Sequence, residues 1–240
     1  MTTTQPTASS RNLIERVFGV FFSPRATYTD VAARPRVLGA LVLVVVIIAG
    51  ANFAFLSTEV GRRAMVDQQL DAMESFGVNI TDQMVTTIEQ RSAQGRYFTL
   101  GGVVVFVPIA MAIMAGVGLV VFNAILGGDA TFKQVYAIVV HSGFIGALQV
   151  LFVTPLNYVR ESMASATSLN IFLPMIDSTS FAGMFLGSMD LFRIWSLVSL
   201  AIGFGVLYKK QTGPIAGAFL AVYIVIVLIV AGVRTALSGA

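Results

Sequence analysis

Asp190 and Arg193 stand three residues apart, the spacing at which an acid and a base on one helix can pair. His141 is the one histidine of the chain, and imidazole can titrate near neutral pH. No second histidine or carboxylate lies three or four residues from it, so the spacing of a metal pair is absent. Asn123, Gln149 and Asn157 complete the polar inventory of the apolar stretches. Such groups line paths for ions or protons when they converge, and otherwise satisfy each other inside a bundle. Catalytic templates fail. There is no H-E-x-x-H and no G-x-S-x-G, and Gly127-Gly128-Asp129 lacks the spacing of an intramembrane aspartyl protease. The glycines of "LGGDATF" match neither the Walker pattern nor G-x-G-x-x-G. The absence of cysteine removes disulfides, thiolate metal sites and thiol nucleophiles. This inventory implies no enzyme, no cofactor and no metal.

The elements that carry these residues follow from composition. Of 240 residues, 56% are hydrophobic and only 11% charged, against about 25% charge in a soluble domain. Mean hydropathy is +0.84. A surface that apolar belongs in lipid. The expected fold is all-α, a polytopic membrane helix bundle. A crossing needs about 20 mostly apolar residues, and five segments qualify: 37–56, 98–126, 135–153, 191–208 and 215–233. The second carries Pro108, a kink-former. In the fourth, Trp195 and Tyr208 sit near the ends, where amphipathic rings favour the lipid–water boundary. Arg193, Lys209 and Lys210 can snorkel to the headgroups.

Five arginines precede the first span: Arg11, Arg16, Arg25, Arg34 and Arg36. With five spans they share a side with Lys133, Lys209 and Lys210, eight cations against seven opposite. The first loop also holds six acids. The arginines before the first span weigh most, and predict a cytoplasmic N-terminus. Basic residues are scattered, with no stripe interleaved with aromatics, so nucleic acid is not an expected partner.

Residues 1–10 are polar and uncharged and read as a disordered tail. Residues 11–36 read as a cytoplasmic interfacial segment. In "RNLIERVFGVFFSP", Leu13, Ile14, Val17, Phe18, Val20 and Phe21 share one helical face, with Asn12, Glu15, Arg16 and Gly19 opposite, and Pro24 stops the helix. This amphipathic helix lies in the interface or packs under the bundle. The transmembrane domain is 37–235. Within it, 57–97 predicts an extramembrane helical hairpin, two blocks of helix formers broken at "GVN", with Thr81 capping the second. Residues 157–189 are apolar but interrupted by Pro174 and many hydroxyls, which suggests interfacial or re-entrant turns and no sixth span. Small residues repeat at four-residue spacing, as in Gly213, Gly217 and Ala221, and predict close helix packing within the bundle.

Four stretches together carry a resemblance: "FFSPRATYTDVAARP", "LGGDATFKQVYAIV", "LNIFLP" and "MDLFRIWSLVSLAIGFGVLYK". In this order, over about residues 10–235, the chain resembles the Yip family of Rab-interacting membrane proteins in its prokaryotic form. The matching positions are Pro24, Gly127, Gly128, Phe132, Lys133, Asp190, Phe192, Trp195, Gly203 and Tyr208. The resemblance implies a multi-span α-helical protein with a cytoplasmic N-terminus, in the plasma or inner membrane of a prokaryote. Eukaryotic members are associated with trafficking and Rab GTPases. The D-L-x-G-P type motif of their cytosolic segment is missing here, so Rab binding is not carried over. Two functional classes stand. One is a non-catalytic protein of membrane organisation, or an accessory to another membrane protein, in contact with lipids and with a protein partner or a second copy. The other is a small transporter or channel using Asn123, His141, Gln149 and Pro108.

Overall fold

A computed structural model describes residues 11–173, 175–177 and 180–238. The tail 1–10 and Pro174 lie outside the described residues. Helix α1 (Leu13–Phe22) begins at a capping box. The Asn12 side chain accepts from the Glu15 N–H at 2.9 Å, and the Glu15 carboxylate accepts from the Asn12 N–H at 2.8 Å. Pro24 does more than stop α1. It also opens a second helix, α2 (Pro24–Ala33), as its first residue, where a missing N–H costs nothing.

Helix α1 splits its polar face: Asn12 and Glu15 are exposed, while the rest turns inward. Arg16, Gly19 and Val20 are buried against the bundle. Leu13, Ile14, Phe18 and Phe22 face outward. Phe21, on the same predicted apolar face as Leu13, Ile14 and Phe18, turns in and meets Trp195 edge-on at 5.8 Å. The helix packs on the bundle and still shows an apolar edge.

Helix α3 (Leu38–Leu56) is the first long apolar helix, and α4 (Glu59–Glu74) follows, capped by Thr58. The chain turns through Gly77, at φ +75°, where a side chain would be strained. Thr81 then caps α5 (Asp82–Leu119) as predicted. No break separates the hairpin's second arm from the second span. One helix, ending in a π-helical turn (Val120–Ile125), carries both, with Pro108 inside it. Helix α6 (Phe132–Arg160) starts at a second capping box, Thr131 with Gln134, and runs two turns past the expected end of the third span. After it, Glu161 adopts a left-handed φ of 50°. Between there and residue 190 the longest helix is α7 (Phe181–Ser188), eight residues and about 12 Å, far short of a crossing. Helices α8 (Leu191–Leu207) and α9 (Thr212–Ser238) complete the chain.

Helices α3, α5, α6 and α9 are long and apolar enough to cross a membrane. Helix α8, at 17 residues, spans about 25 Å, the short end of the crossing range. Two contacts set the ends of the bundle. The Arg234 guanidinium lies over the Phe76 ring at 5.0 Å, so the far end of α9 meets the hairpin turn. Arg25 donates to the Thr212 hydroxyl at 3.3 Å, so the start of α9 meets α2.

Helix α6 is the hub. Half of its most apolar stretch is buried, whereas that of α5 is almost wholly exposed. Val135, Ala137, Ile138, Val140 and Ile145 are fully covered. One core cluster joins Val135, Ala137 and Ile138 to Tyr28 and Val31 of α2 and to Leu200, Ala201 and Phe204 of α8, and a second joins Val140 and Ile145 to Val20 of α1, Val44 of α3 and Phe192 of α8. Gly203 permits this approach: a Cβ there would lie 2.4 Å from Ile138 and 3.2 Å from Tyr28. The small-residue stripe of α9 departs from expectation. A Cβ on Gly213 or Gly217 would meet open space, and Ala221 is exposed, so this stripe looks outward.

Candidate functional site

Three polar clusters hold most of the residues singled out by sequence. The first centres on Asp190, the N-cap of α8. One carboxylate oxygen accepts from the Gln149 side chain of α6 at 3.0 Å and from the backbone N–H groups of Phe192 and Arg193 at 2.8 and 3.1 Å. The other accepts from the hydroxyls of Ser165 and Thr167 at 2.6 and 2.5 Å. Five donors on one carboxylate leave no place for a guanidinium. The expected Asp190–Arg193 ion pair does not form. Arg193 gives its backbone N–H, and its side chain is exposed. Burial pushes the Asp190 carboxyl up, but the hydrogen bonds from Ser165, Thr167, Arg193 and Phe192 outweigh it and hold the group below its usual range. Ser165 and Thr167 were not singled out. Their signal was only the density of hydroxyls after α6.

The second cluster joins α1 and α2 to α6 and α8. The buried Arg16 guanidinium meets the Asp30 carboxylate at 2.8 Å and donates to the Arg34 carbonyl at 3.0 Å. Arg34 reaches the same carboxylate at 3.9 Å. Beside this pair stands His141, fully buried. Its Nδ1 lies 2.7 Å from the Ala137 carbonyl, which can only accept, so Nδ1 carries the proton. Its Nε2 is buried with no hydrogen-bond partner among the described residues. The Tyr28 hydroxyl bonds to Ser199 at 2.7 Å, and burial raises it above its ordinary value despite that bond. Sequence reasoning missed Tyr28, Asp30 and Ser199. The i,i+4 spacing of Asp30 and Arg34 was the available clue.

The third cluster is the turn between α5 and α6. Asn123, in the π-helical turn, donates to the Ala130 carbonyl at 2.7 Å and closes the loop. Gly127 takes φ +71°. Gly128 lies flat on Tyr208, where a Cβ would sit 2.5 Å from the ring. Tyr208 is therefore no free interface anchor: it stacks on Phe122 at 4.8 Å. Phe132 stacks on Tyr136 at 5.7 Å, and Lys133 projects from the first turn of α6. Trp195, 37% exposed, packs on Phe21 and Phe192. Pro24 lies in a groove with Arg25, Ile202 and Thr212.

Thus Gln149 and Asp190 come together, Gly127, Gly128 and Asn123 come together, and His141 joins neither group. The geometry is that of three helix-joining clusters. Among the described residues no group of three or more histidines and carboxylates is placed to hold a metal ion.

Comparison with known proteins agrees with this architecture. The Yip1 domain matches residues 18–233. Membrane protein YknW of Bacillus subtilis strain 168 is 24% identical over an alignment covering 93% of each chain. No solved structure matches.

Proposed function

The chain belongs to the Yip1 domain family, an integral membrane protein by its helices and by its relative, and from that premise we propose that it organises lipid or serves as a non-catalytic accessory to another membrane protein, in trafficking or transport. One observation carries the reading. Arg16, the charged residue in the middle of α1, is locked inward on Asp30, while Leu13, Ile14, Phe18 and Phe22 are offered outward. A helix held this way is a contact element, since its exposed apolar edge gains free energy only against lipid or an apolar partner. The arginine-rich N-terminal end supports a cytoplasmic N-terminus in a prokaryotic plasma membrane. The outward stripe of Gly213, Gly217 and Ala221 is compatible with a second helix, from a partner or another copy.

The test is affinity purification from native membranes after mild crosslinking, comparing the wild type with F18E/F22E by quantitative mass spectrometry. Both side chains are exposed, so the bundle should stay folded while partner recovery and lipid contact fall. Unchanged recovery and lipid contact in the folded variant would refute the reading.

A second reading, a small transporter or channel, is favoured by His141. A fully buried imidazole whose Nε2 has no hydrogen-bond partner among the described residues, beside the Arg16–Asp30 pair, is the kind of group that marks ion or proton paths. Reconstituted vesicles would then show a flux that His141→Ala abolishes. Absence of proton, ion or lipid flux counts against it.

A further inference from the structure

The two ends of the bundle carry opposite net charge. At the end that holds α1, α2, the α5–α6 turn and the α8–α9 turn there are eight cations and three acids, Glu15, Asp30 and Asp129, a net of +5. At the other end there are seven cations and nine acids, a net of −2. Pairing sharpens the contrast. At the acidic end Arg62 and Arg63 both pair with Glu59. At the basic end only Arg16 and Arg34 meet a carboxylate among the described residues. Among the described residues the Arg11 and Arg25 guanidinium groups have hydroxyl partners alone. Arg11 donates to Ser23 at 3.3 Å and Thr27 at 2.5 Å, and Arg25 donates to Thr212.

These two arginines flank one turn. Ser23 and Pro24 join α1 to α2, and an open groove of about 450 Å³ lies on each side. One groove holds Arg11 with the exposed rings of Phe18 and Phe22. The other holds Arg25 with Pro24, Ala26 and Ile202. Ser23 lines both. Each groove thus sets a guanidinium with spare donors beside an apolar wall, and the two walls diverge from a shared hydroxyl.

We propose that this turn seats an anionic phospholipid. Its phosphate lies at Ser23 between Arg11 and Arg25, and its acyl chains run along Phe18 and Phe22 on one side and Pro24, Ala26 and Ile202 on the other. Guanidinium donors match phosphate oxygens, and the apolar walls match the chains. Glu15 in the first groove is held by the Asn12 N–H and disfavours a headgroup carrying further negative charge, so a singly charged glycerophospholipid fits best. The proposal rests on the reading of α1 as a lipid-contacting element and names the lipid it selects.

The test uses the full chain in vesicles and its single tryptophan. Trp195 packs on Phe21, two residues before the turn, so brominated acyl chains held in the seat quench it. Brominated phosphatidylglycerol in a phosphatidylcholine background is compared with the reverse labelling. Wild type should favour the anionic lipid by about fivefold or more. R11Q/R25Q should bring the ratio to near one, R11K/R25K should keep most of it, and R62Q/R63Q at the acidic end should leave it unchanged. Equal quenching by both lipids in the wild type, or a preference that survives R11Q/R25Q, overturns the proposal. So does loss of the preference on adding millimolar soluble glycerol phosphate, which would assign the seat to free anions. Partner recovery by crosslinking is read in parallel: a lipid preference lost in R11Q/R25Q with partner recovery intact leaves the accessory reading standing, and a wild type that keeps the preference but recovers no partner sinks the accessory reading alone.

Discussion

The Tyr28 hydroxyl of α2 and the Ser199 hydroxyl of α8 lie 2.7 Å apart in the interior, 171 residues apart in sequence. Neither has water to turn to, so each satisfies the other, and the bond fastens the N-terminal hairpin to the bundle. Tyr28→Phe is expected to lower stability by about 1–2 kcal/mol, because it strands the Ser199 hydroxyl as well as removing the bond. Adding Ser199→Ala should recover part of that loss. Thermal unfolding in detergent of the two single variants and the double variant checks it, and additive losses would argue against a direct coupling.

Arg16 and Asp30 form a pair whose side chains are only 3% and 15% exposed. Removing one partner leaves the other charge buried. Arg16→Ala is expected to cost about 3 kcal/mol and to loosen α1 and α2 from α6, while R16M/D30L should be milder. Hydrogen exchange should show faster labelling of residues 13–33 in the single variant. Equal exchange in both variants would mean that the pair does not hold the hairpin.

Asp190 sets a pH dependence. Its folded-state pKa lies below its unfolded value, so the charged carboxylate contributes stability that is fully present above the unfolded pKa. That contribution is lost as pH falls through the folded value, so the unfolding temperature should drop on acidification below the ordinary carboxylate range. Asp190→Asn should lower stability at neutral pH by about 2 kcal/mol and flatten this acid limb. An unchanged acid limb in the variant would place the titration elsewhere.

Gly203 lets three helices meet. Gly203→Ala forces a methyl into contact with Ile138 and Tyr28, and an overpacked core of this kind costs about 1–3 kcal/mol. Gly217→Ala, a change of the same size on the open face of α9, should be close to neutral for the monomer. Comparing the two unfolding temperatures checks the packing, and equal losses would contradict it.

Much of the architecture was legible because lipid imposes simple rules. Runs of apolar residues long enough to cross announce α3, α5, α6 and α9, and the interruptions in 157–189 announce short turns there. Caps were legible too, as Thr81 shows. The merging of the outer hairpin into α5 was not, because nothing local distinguishes a helix that ends at a membrane surface from one that continues through it. Pro24 was read as a stop when it is also a start, since the same fixed φ serves both.

The clusters were legible only as an inventory. Asp190 and Arg193 have the spacing of an ion pair, but two hydroxyls, a glutamine and two backbone N–H groups reach the carboxylate first. By itself the sequence determined that this chain is a helical membrane protein of one family, with a basic end and an acidic hairpin, because those properties depend on composition, period and order along the chain. Only the tertiary structure decided that Arg16 faces inward, that Tyr28 reaches Ser199, that Phe21 turns to Trp195 and that the α9 stripe faces out. The physical reason is that a helix of either orientation satisfies its own backbone equally well. Which face it buries is set by partners far away in sequence, through packing and hydrogen bonds that no local pattern records.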